Sequence, residues 1–480
     1  MGEQMPLMVP GAAASDTPLE VYAPYNGDLI ATLPTVGAEG VAQALNTAYG
    51  LYKNRDKWLS SEERINILEK AASIIEERAE ALALGATIEG GKPLMDSRVE
   101  LARAIDGVKG CVEAIRTAHG NETPMGLNAA SSGRLAVTSK EPIGVVLAFS
   151  AFNHPFNLVV HQVGPAIAAG CPAIVKPAEA TPLSCIRFVE ILREAGLPDE
   201  WCQVIHTENL EVAGQLVRDE RLGFFSFIGS GKVGWMLRGQ LAPGTRCALE
   251  HGGAGPVVVA EDADLGDAIP RLLKGSFYHA GQVCVSVQRI FAHESIAKQV
   301  AKRLTHGAQE LLVGDPQEAN TEVGPLIRHG EVLRVDTWVQ EAVSSGAQLL
   351  CGGEAIGDSC YAPTVLFEPA MDTKVSTQEI FGPVVCVYAY SDLDEAIERA
   401  NSLPFAFQNS VFTQNIDTAM RCYNRFHAAT VMVNDHTAFR VDWMPFAGAK
   451  TSGLGIGGIP YTLRDMQVDK QLVLRSDGLS

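Results

Sequence analysis

The sequence has 480 residues, of which 46% are hydrophobic and 20% are charged. A chain of this length and apolar content buries large cores in two or three domains, which excludes intrinsic disorder, collagen and a small disulfide scaffold. Its 38 Lys and Arg against 56 Asp and Glu give a net charge of −18, so nucleic acid and anionic membrane surfaces are disfavoured as partners.

Signals for export, membrane insertion and metal binding are missing from the sequence. The most apolar stretch, Val145–Val175, is interrupted by polar residues and prolines, so we expect no membrane span. The N-terminal segment has no basic region followed by an apolar block, as a secretory signal would have. The ten cysteines are scattered, with no C-x-x-C pair and no Cys/His cluster at zinc spacing, which favours a reducing compartment. We therefore expect a cytoplasmic protein without a metal.

Helical and strand patterns alternate along most of the chain. Apolar residues at helical spacing predict a helix over residues 61–85, with Ser60 or Ser61 as its N-cap. Further strands and helices are predicted at Ile143–Phe149, Ala173–Val175, Pro256–Ala260, Ile296–Leu312, Val384–Tyr390 and Ser391–Asn401. Apolar strands separated by helices are typical of α/β proteins with parallel sheets covered on both faces.

Two segments alternate apolar and polar residues instead, Gly133–Lys140 and Met466–Arg475. This pattern predicts strands exposed on one face and lying outside the main sheets. Such edges often pair with a partner chain, which favours an oligomer. The glycine-rich stretch Gly448–Gly458 is predicted to be a loop.

A candidate phosphate site follows the predicted strand Phe224–Ile228. The segment Gly229–Gly234 matches G-x-G-x-x-G and leads into a predicted helix, Val233–Arg238, so backbone N–H groups there can face a pyrophosphate. It is not a Walker A loop, because Val233 stands where a Ser or Thr would hold magnesium. Glu250 lies about twenty residues further on, where a simple dinucleotide fold has its ribose-binding acid. The two glycines at 252 and 253 equally suit a mobile general base.

Cys284 is the candidate nucleophile. Glycine and glutamine precede it in Ala280-Gly-Gln-Val-Cys284, which indicates a bent approach that exposes the thiol. Considered alone, this cysteine is better interpreted as an inert thiol in a core.

Seven strings together resolve both ambiguities, because they occur in the order of one known family. They are Phe152-Asn-His-Pro155, Lys176-Pro-Ala-Glu179, Phe227-Ile-Gly-Ser-Gly-Lys-Val-Gly234, Leu249-Glu-His-Gly-Gly253, Gly281-Gln-Val-Cys284, Glu379-Ile-Phe-Gly-Pro383 and Pro445-Phe-Ala-Gly448. The chain resembles the NAD(P)-dependent aldehyde dehydrogenase superfamily over essentially its whole length.

The resemblance implies an α/β fold with three parts. These are a Rossmann-type NAD-binding domain over residues 1–119 and 141–249, an α/β catalytic domain over 250–462, and a β oligomerisation arm over 120–140 and 463–480. The family also implies a homodimer or homotetramer.

The resemblance further implies how an aldehyde would be oxidised. The Cys284 thiolate would attack the aldehyde, the Asn153 side-chain amide and the Cys284 N–H would bind the oxyanion, and Glu250 would activate water against the thioester. The implied cofactor residues are Phe149, Lys176, Glu179, Gly229, Ser230, Glu379 and Phe381. A carboxylate at position 179 would repel a 2′-phosphate, so NAD is expected rather than NADP. Gln162 replaces a lysine that is proposed to export protons in many relatives.

The residues aligned with the substrate tunnel favour an aldehyde with an anionic head. The implied substrate residues are Arg103, His154, His161, Arg440 and Phe446, and Arg98 is also expected near the mouth. A buried arginine needs a partner, and a carboxylate, phosphonate or sulfonate would provide one. A salt bridge of Arg440 to Asp435 or Asp442 is the competing interpretation. Dehydrogenases of neutral small or aromatic aldehydes, CoA-acylating dehydrogenases and an inactive binding relative remain alternatives.

Overall fold

A computed structural model describes residues 2–479. The helices in this range are α1 Ala38–Lys53, α2 Ser61–Glu77, α3 Ala79–Gly90, α4 Leu94–Thr117, α5 Asn157–Ala169, α6 Leu183–Glu194, α7 Leu210–Arg218, α8 Gly231–Arg238, α9 Leu265–Phe277, α10 Ala297–Glu310, α11 His329–Ser344, α12 Lys374–Thr377, α13 Leu393–Asn401, α14 Ile416–Arg425 and α15 Ile459–Asp465. The strands are β1 Glu3–Gln4, β2 Leu19–Tyr22, β3 Leu29–Leu33, β4 Glu122–Thr123, β5 Arg134–Pro142, β6 Val145–Phe149, β7 Ala173–Lys176, β8 Cys202–Val204, β9 Leu222–Ile228, β10 Arg246–Glu250, β11 Gly255–Val259, β12 Val287–His293, β13 Gln348–Cys351, β14 Ala355–Ile356, β15 Cys360–Tyr361, β16 Thr364–Phe367, β17 Val384–Tyr390, β18 Phe405–Ala406, β19 Gln408–Phe412, β20 Thr430–Val433, β21 Ala449–Lys450, β22 Gly453–Leu454 and β23 Gln467–Arg475.

The first large sheet has six strands in the order β22-β10-β9-β6-β7-β8, and its strands are parallel except for β22. Alternate residues of β6 enter different cores: Val146 and Ala148 pack on one face, and Val145 and Leu147 on the other. Both faces are therefore covered by helices, as the continuous apolar strand patterns predict. The carboxyl ends of β6, β7, β9 and β10 meet at one edge, which is where an open α/β sheet binds its ligand.

The second large sheet has seven strands in the order β13-β16-β17-β12-β11-β19-β20, with β13 antiparallel to its neighbour and the other pairs parallel. Its strands are buried in a separate apolar core. The predicted α/β class with a Rossmann-type sheet and a second α/β unit is thus confirmed. The exact domain boundaries stay a prediction; β22, which the prediction assigns to the catalytic domain, pairs with β10 of the first sheet.

A third, antiparallel sheet joins β23, β5 and β4 in that order, and β23 pairs with β5 along its whole length. The alternating segments thus form the predicted strands outside the main sheets. One edge of β23 has no neighbouring strand within the part of the chain that the structure describes.

Most predicted elements are confirmed to within two residues of their ends. The helix predicted over residues 61–85 is instead two helices, because Arg78 leaves helical geometry with φ −107° and ψ 10°. Ser60 is the N-cap of α2 and forms a capping box with Glu63. The predicted loop 448–458 also contains the short strands β21 and β22. Among residues 2–479, no helix is both long and apolar enough to cross a membrane.

Candidate active site

A cavity of about 710 Å³ lies where the carboxyl edge of the first sheet faces the loops that lead into β12 and β17. Its walls contain most of the predicted site residues, namely Arg103, Phe149, Asn153, His154, Lys176, Gly229, Ser230, Glu250, Cys284, Glu379, Phe381, Arg440 and Phe446. Glu179 and His161 do not line it. Segments that are far apart in the sequence therefore meet in one space.

A strained turn carries Cys284 into this cavity. His279, Ala280 and Gly281 have consecutive φ values of 49°, 54° and 71°, a left-handed conformation that costs non-glycine residues of order 1–3 kcal/mol each. A Cβ at position 281 would lie 2.1 Å from the carbonyl oxygen of Gly382. The bent approach predicted from the sequence is thus present, and glycine is required at its tightest point.

The thiol needs help to ionise. Burial raises the pKa of Cys284 to about 12; the charge of Arg440 opposes this rise, and Glu250 and Glu379 add to it. Burial also raises the pKa of Glu250, again opposed by Arg440. Arg440 therefore favours the ionised forms of both the candidate nucleophile and the candidate base.

Asn153 lies at the start of the turn before α5 and is buried. Its Nδ2 donates to the carbonyl oxygen of Gln282 at 2.9 Å. Gln282 is itself fixed, because its amide donates to Pro325 O and accepts from the N–H of Ile327. An amide nitrogen has two N–H groups, so one of them remains for a substrate oxygen.

The dinucleotide end of the cavity has the features that a bound NAD(P) requires. Burial raises the pKa of Glu379 to about 8, and its Oε1 is a buried acceptor without a partner among residues 2–479. A Cβ at position 252 would lie 1.6 Å from this oxygen and would displace the Glu379 carboxylate. The G-x-G-x-x-G turn leads into α8, so Gly229 and Ser230 present a helix start to the cavity. These residues fit a cofactor with ribose hydroxyls and a pyrophosphate.

Lys176 and Glu179 lie beside this end at the carboxyl terminus of β7. The Lys176 Nζ is 3.3 Å from Oε1 of Glu179 and 5.8 Å from the ring centroid of Phe149. Glu179 is exposed. Both polar groups are available to the outer ribose of a dinucleotide.

His251, which directly follows Glu250, is not among the site residues predicted from the sequence. Its Nδ1 lies 2.9 Å from the carbonyl oxygen of Gly229, and its ring packs edge-on against Phe227 and Trp235. It therefore links the strand end that carries Glu250 to the phosphate turn. No spacing rule identifies such a contact.

Gln162 also has a defined role. Its Nε2 donates to the carbonyl oxygens of Phe149 and Ser226 and to the Ser226 hydroxyl, at 2.9 to 3.2 Å. The side chain thus joins the ends of β6 and β9 beneath the cavity.

Arg440 stands at the substrate end with its charge unpaired. Its guanidinium lies 3.6 Å above the Phe446 ring centroid, and its Nη2 donates to Nδ1 of His161 at 3.2 Å. Its Nε has no partner, and no ion pair of this arginine occurs within residues 2–479. The two acids that were candidate partners are engaged elsewhere.

Asp442 instead forms an ion pair with the neighbouring cation, Arg103. Arg103 donates to both of its carboxylate oxygens at 2.7 and 3.1 Å, and His161 Nε2 donates at 2.6 Å. Asp435 pairs with Arg271 at 3.2 Å. Burial lowers the pKa of His161 to about 4, so its neutral ring donates to Asp442 through Nε2 and accepts from Arg440 through Nδ1.

Of the remaining residues that were expected in the substrate tunnel, one lies in the wall of the cavity and one lies on the outer surface of the protein. His154 lies 3.2 Å from the Tyr278 hydroxyl through Nε2 and lines the cavity. Arg98, expected near the mouth, is instead paired with Glu80 on the outer surface.

Comparison with known proteins agrees with this geometry. The model of the Aldehyde dehydrogenase family matches residues 11–472. The chain is 36% identical over 456 residues to 3-sulfolactaldehyde dehydrogenase of Priestia aryabhattai, covering 95% of this chain and 94% of that protein.

Two solved structures share the fold over nearly the whole chain. Aldehyde dehydrogenase 21 of Physcomitrella patens, in complex with its reaction product succinate, has a TM-score of 0.95 and 33% identity, covering 100% of this chain and 99% of that one. Glyceraldehyde-3-phosphate dehydrogenase of Methanocaldococcus jannaschii, complexed with NADP, has a TM-score of 0.91 and 33% identity, covering 96% and 100%. The fold implied by the sequence motifs is confirmed.

Proposed function

The chain belongs to the aldehyde dehydrogenase family, and we propose that it oxidises a small aldehyde with an anionic head to the carboxylic acid, using NAD. The observation that carries the substrate class is the unpaired Arg440 guanidinium in the same cavity as Cys284. The catalytic roles below rest on the shared cavity and the contacts of its residues.

Cys284 forms the covalent bond to the substrate. Its thiolate attacks the aldehyde carbon, and the carbonyl oxygen becomes an oxyanion. The free N–H of the Asn153 amide and the Cys284 N–H donate to that oxygen. Because Asn153 is already held by Gln282, little reorganisation is needed when charge develops.

Glu250 acts on the second half of the reaction. NAD, held at the end of the cavity formed by Gly229, Ser230 and Glu379, would supply a hydride acceptor, and loss of hydride from the hemithioacetal would leave a thioester on Cys284. The Glu250 carboxylate then takes a proton from water, and the resulting hydroxide displaces the cysteine thiolate and gives the acid. Burial raises the pKa of this carboxyl and so makes its ionised form a stronger base.

Arg440 is the proposed receptor for the anionic head. Asp442 is neutralised by Arg103 and the neutral His161 carries no charge, so the Arg440 charge is left for a ligand. His161 and Asp442 orient this guanidinium from behind, and Phe446 supports its face. The three relatives above act on or bind compounds with a sulfonate, a phosphate or carboxylates, which supports an anion at this end.

NAD is the proposed cofactor because of Glu179. A carboxylate beside the outer ribose accepts hydrogen bonds from its hydroxyls and repels a 2′-phosphate. Glu179→Ala should reduce the ratio of kcat/KM for NAD to that for NADP by about tenfold, the value of one charge-assisted hydrogen bond. An unchanged ratio would remove Glu179 from the specificity argument.

Two other activities are separable from this one. A CoA-acylating enzyme has no need of a hydrolytic base, whereas Glu250 lies in the cavity with Cys284; formation of acyl-CoA on addition of CoA would favour it. A dehydrogenase of neutral small or aromatic aldehydes would show no preference for charge. An inactive binding relative would produce no NADH from any aldehyde.

A homodimer or homotetramer is proposed through the antiparallel sheet. On β23, Leu472, Val473 and Leu474 are 53%, 49% and 47% exposed, and the outer edge of this strand is unpaired in the described range. A second copy would bury this apolar edge. Light scattering on the wild type and on Val473→Lys tests it, with a smaller assembly expected for the variant; an unchanged mass would exclude this edge.

The central experiment is an NADH assay with pairs of aldehydes of similar size. In these pairs, 3-sulfolactaldehyde is compared with lactaldehyde, succinic semialdehyde with butanal, and phosphonoacetaldehyde with glycolaldehyde. We expect kcat/KM to be at least about tenfold higher for the anionic members; equal values would exclude an anionic substrate. Cys284→Ala should abolish NADH formation, and Cys247→Ala, a half-buried cysteine outside the cavity, is the control.

A further inference from the structure

A buried ion pair lies directly behind Asn153. Lys92 follows α3 and Glu100 belongs to α4, and their side chains are 1% and 0% exposed. Neither lines the cavity. Neither residue belongs to the sequence motifs described above.

The two charges hold both ends of the turn between β6 and α5. Lys92 Nζ pairs with Oε2 of Glu100 and also donates to the main-chain carbonyl of Asn153 at 3.2 Å. Glu100 Oε1 accepts from the N–H groups of Phe156 and Asn157, each at 2.9 Å. The residues from 153 to 157 are thereby fixed at the first carbonyl and at the last two amides.

Stability alone is a poor reason for such a pair. Removing two charges from water is costly, and a buried ion pair replaced by apolar residues is often neutral or stabilising. The pair provides directional contacts to the backbone at both ends of the turn, and the contact from Lys92 is to Asn153, whose side chain must stay in place. Small displacements of a reacting or stabilising group reduce rates strongly.

The geometry points to Lys92 and Glu100 as positioning residues that hold the Asn153 amide where the substrate oxyanion forms. Lys92 fixes the main chain of Asn153, while Gln282 O receives one N–H of its side chain. These two anchors determine where the remaining N–H points. The inference rests on the proposed oxyanion role of Asn153.

The test uses a double variant, Lys92→Met with Glu100→Gln, which leaves no lone buried charge. The glutamine oxygen still accepts from the backbone amides, so the lost contact is the one from Lys92 to Asn153. Three rates are measured: single-turnover NADH formation, hydrolysis of p-nitrophenyl acetate, and alkylation of Cys284 by iodoacetamide. The first two form an oxyanion at Cys284, whereas alkylation forms none.

We expect the NADH burst and the ester hydrolysis to fall by about 10- to 100-fold, less than or equal to the loss of a whole oxyanion donor. KM and the alkylation rate should stay within about twofold, since the thiol and its access are unchanged. The decrease should be equal for anionic and neutral aldehydes, because Lys92 does not contact the substrate end. Asp392→Asn is the control: one carboxylate oxygen of Asp392 likewise accepts two backbone amides, at the start of α13, without contacting Asn153.

The possible outcomes distinguish a failure of this inference from a failure of the proposed function on which it rests. An Asn153→Ala variant with a wild-type burst would refute the proposed oxyanion role itself. A burst lost in Asn153→Ala but kept in the double variant would refute the positioning role of the pair. Alkylation that falls in parallel with the burst would also overturn it, since this indicates a general disturbance of the site.

Discussion

Replacing Arg440 by methionine removes a guanidinium that has no acidic partner among residues 2–479 and that lies at the substrate end of the cavity. Its Nη2 is occupied by His161 and its Nε is free. A sulfonate or carboxylate would accept two hydrogen bonds from such a planar group. Methionine keeps most of the apolar packing on Phe446 and cannot donate.

The size of the effect follows from these contacts. Each hydrogen bond to a charged group contributes about 1.5–3 kcal/mol, so two contribute at least about 3 kcal/mol. Because about 1.4 kcal/mol is a factor of ten, kcat/KM for an anionic aldehyde should fall about 100-fold relative to its neutral counterpart. Neutral aldehydes should also slow, by less than about tenfold, since Arg440 lowers the pKa of Cys284.

Arg440→Lys separates the two contributions. Lysine retains the positive charge but not the bidentate geometry, so neutral aldehydes should react at close to the wild-type rate while the anionic ones lose about tenfold. The pH profile of Cys284 alkylation provides a second measurement: it should move to higher pH in the methionine variant and stay in place in the lysine variant. Equal losses for charged and neutral aldehydes in Arg440→Met would refute the reasoning, and Arg98→Met, which disrupts only a surface pair, is the control.

Three further predictions concern the base and the cofactor end. Glu250→Gln should keep the NADH burst and lower steady-state turnover by about 100-fold, because the thioester then lacks its base; unchanged turnover would contradict this role. Burial raises the pKa of Glu379 to about 8, and ribose hydroxyls bind the ionised form, so NAD affinity should rise by up to about tenfold per pH unit below 8 and then level off. Calorimetric titration at several pH values checks this, and a pH dependence that persists in Glu379→Gln would assign it to another group. Gly252→Ala should weaken NAD binding by at least about tenfold, because the new Cβ would lie 1.6 Å from Glu379 Oε1. Gly253→Ala is its matched control, since that Cβ meets nothing closer than 3.6 Å, and equal affinities of the two variants would contradict the argument.

The fold class could be predicted from the sequence because it depends on local patterns, whereas the candidate catalytic residues were assigned through the family resemblance. Continuous apolar runs predict parallel strands, and the carboxyl ends of such strands meet at one edge. Glu250, at the end of β10, and Gly229, directly after β9, therefore share a cavity. The break at Arg78 was missed, because the apolar spacing continues through it while the backbone does not.

The ion pairs at the substrate end of the cavity could not be predicted from local sequence patterns. Arg103 and Asp442 are 339 residues apart and Arg440 and His161 are 279 apart, so no spacing rule connects them. Two cations, Arg103 and Arg440, compete with one another for the same carboxylate. Only the packed structure determines which of them is neutralised.

The outcome of this competition connects the packing of the site to its proposed chemistry, because it leaves one of the two arginines without an ion pair. A buried cation without a partner is unfavourable unless something compensates it, because desolvation of the charge is not recovered. Arg103 recovers this cost in a direct ion pair with Asp442, whereas the direct contacts of Arg440 are a neutral histidine and an aromatic face, and the Glu250 carboxylate acts on it only at longer range. The remaining imbalance lies in the space that also contains Cys284 and Glu250. The negatively charged substrate that we propose would correct it on binding, on a molecule whose net charge of −18 would otherwise repel that substrate.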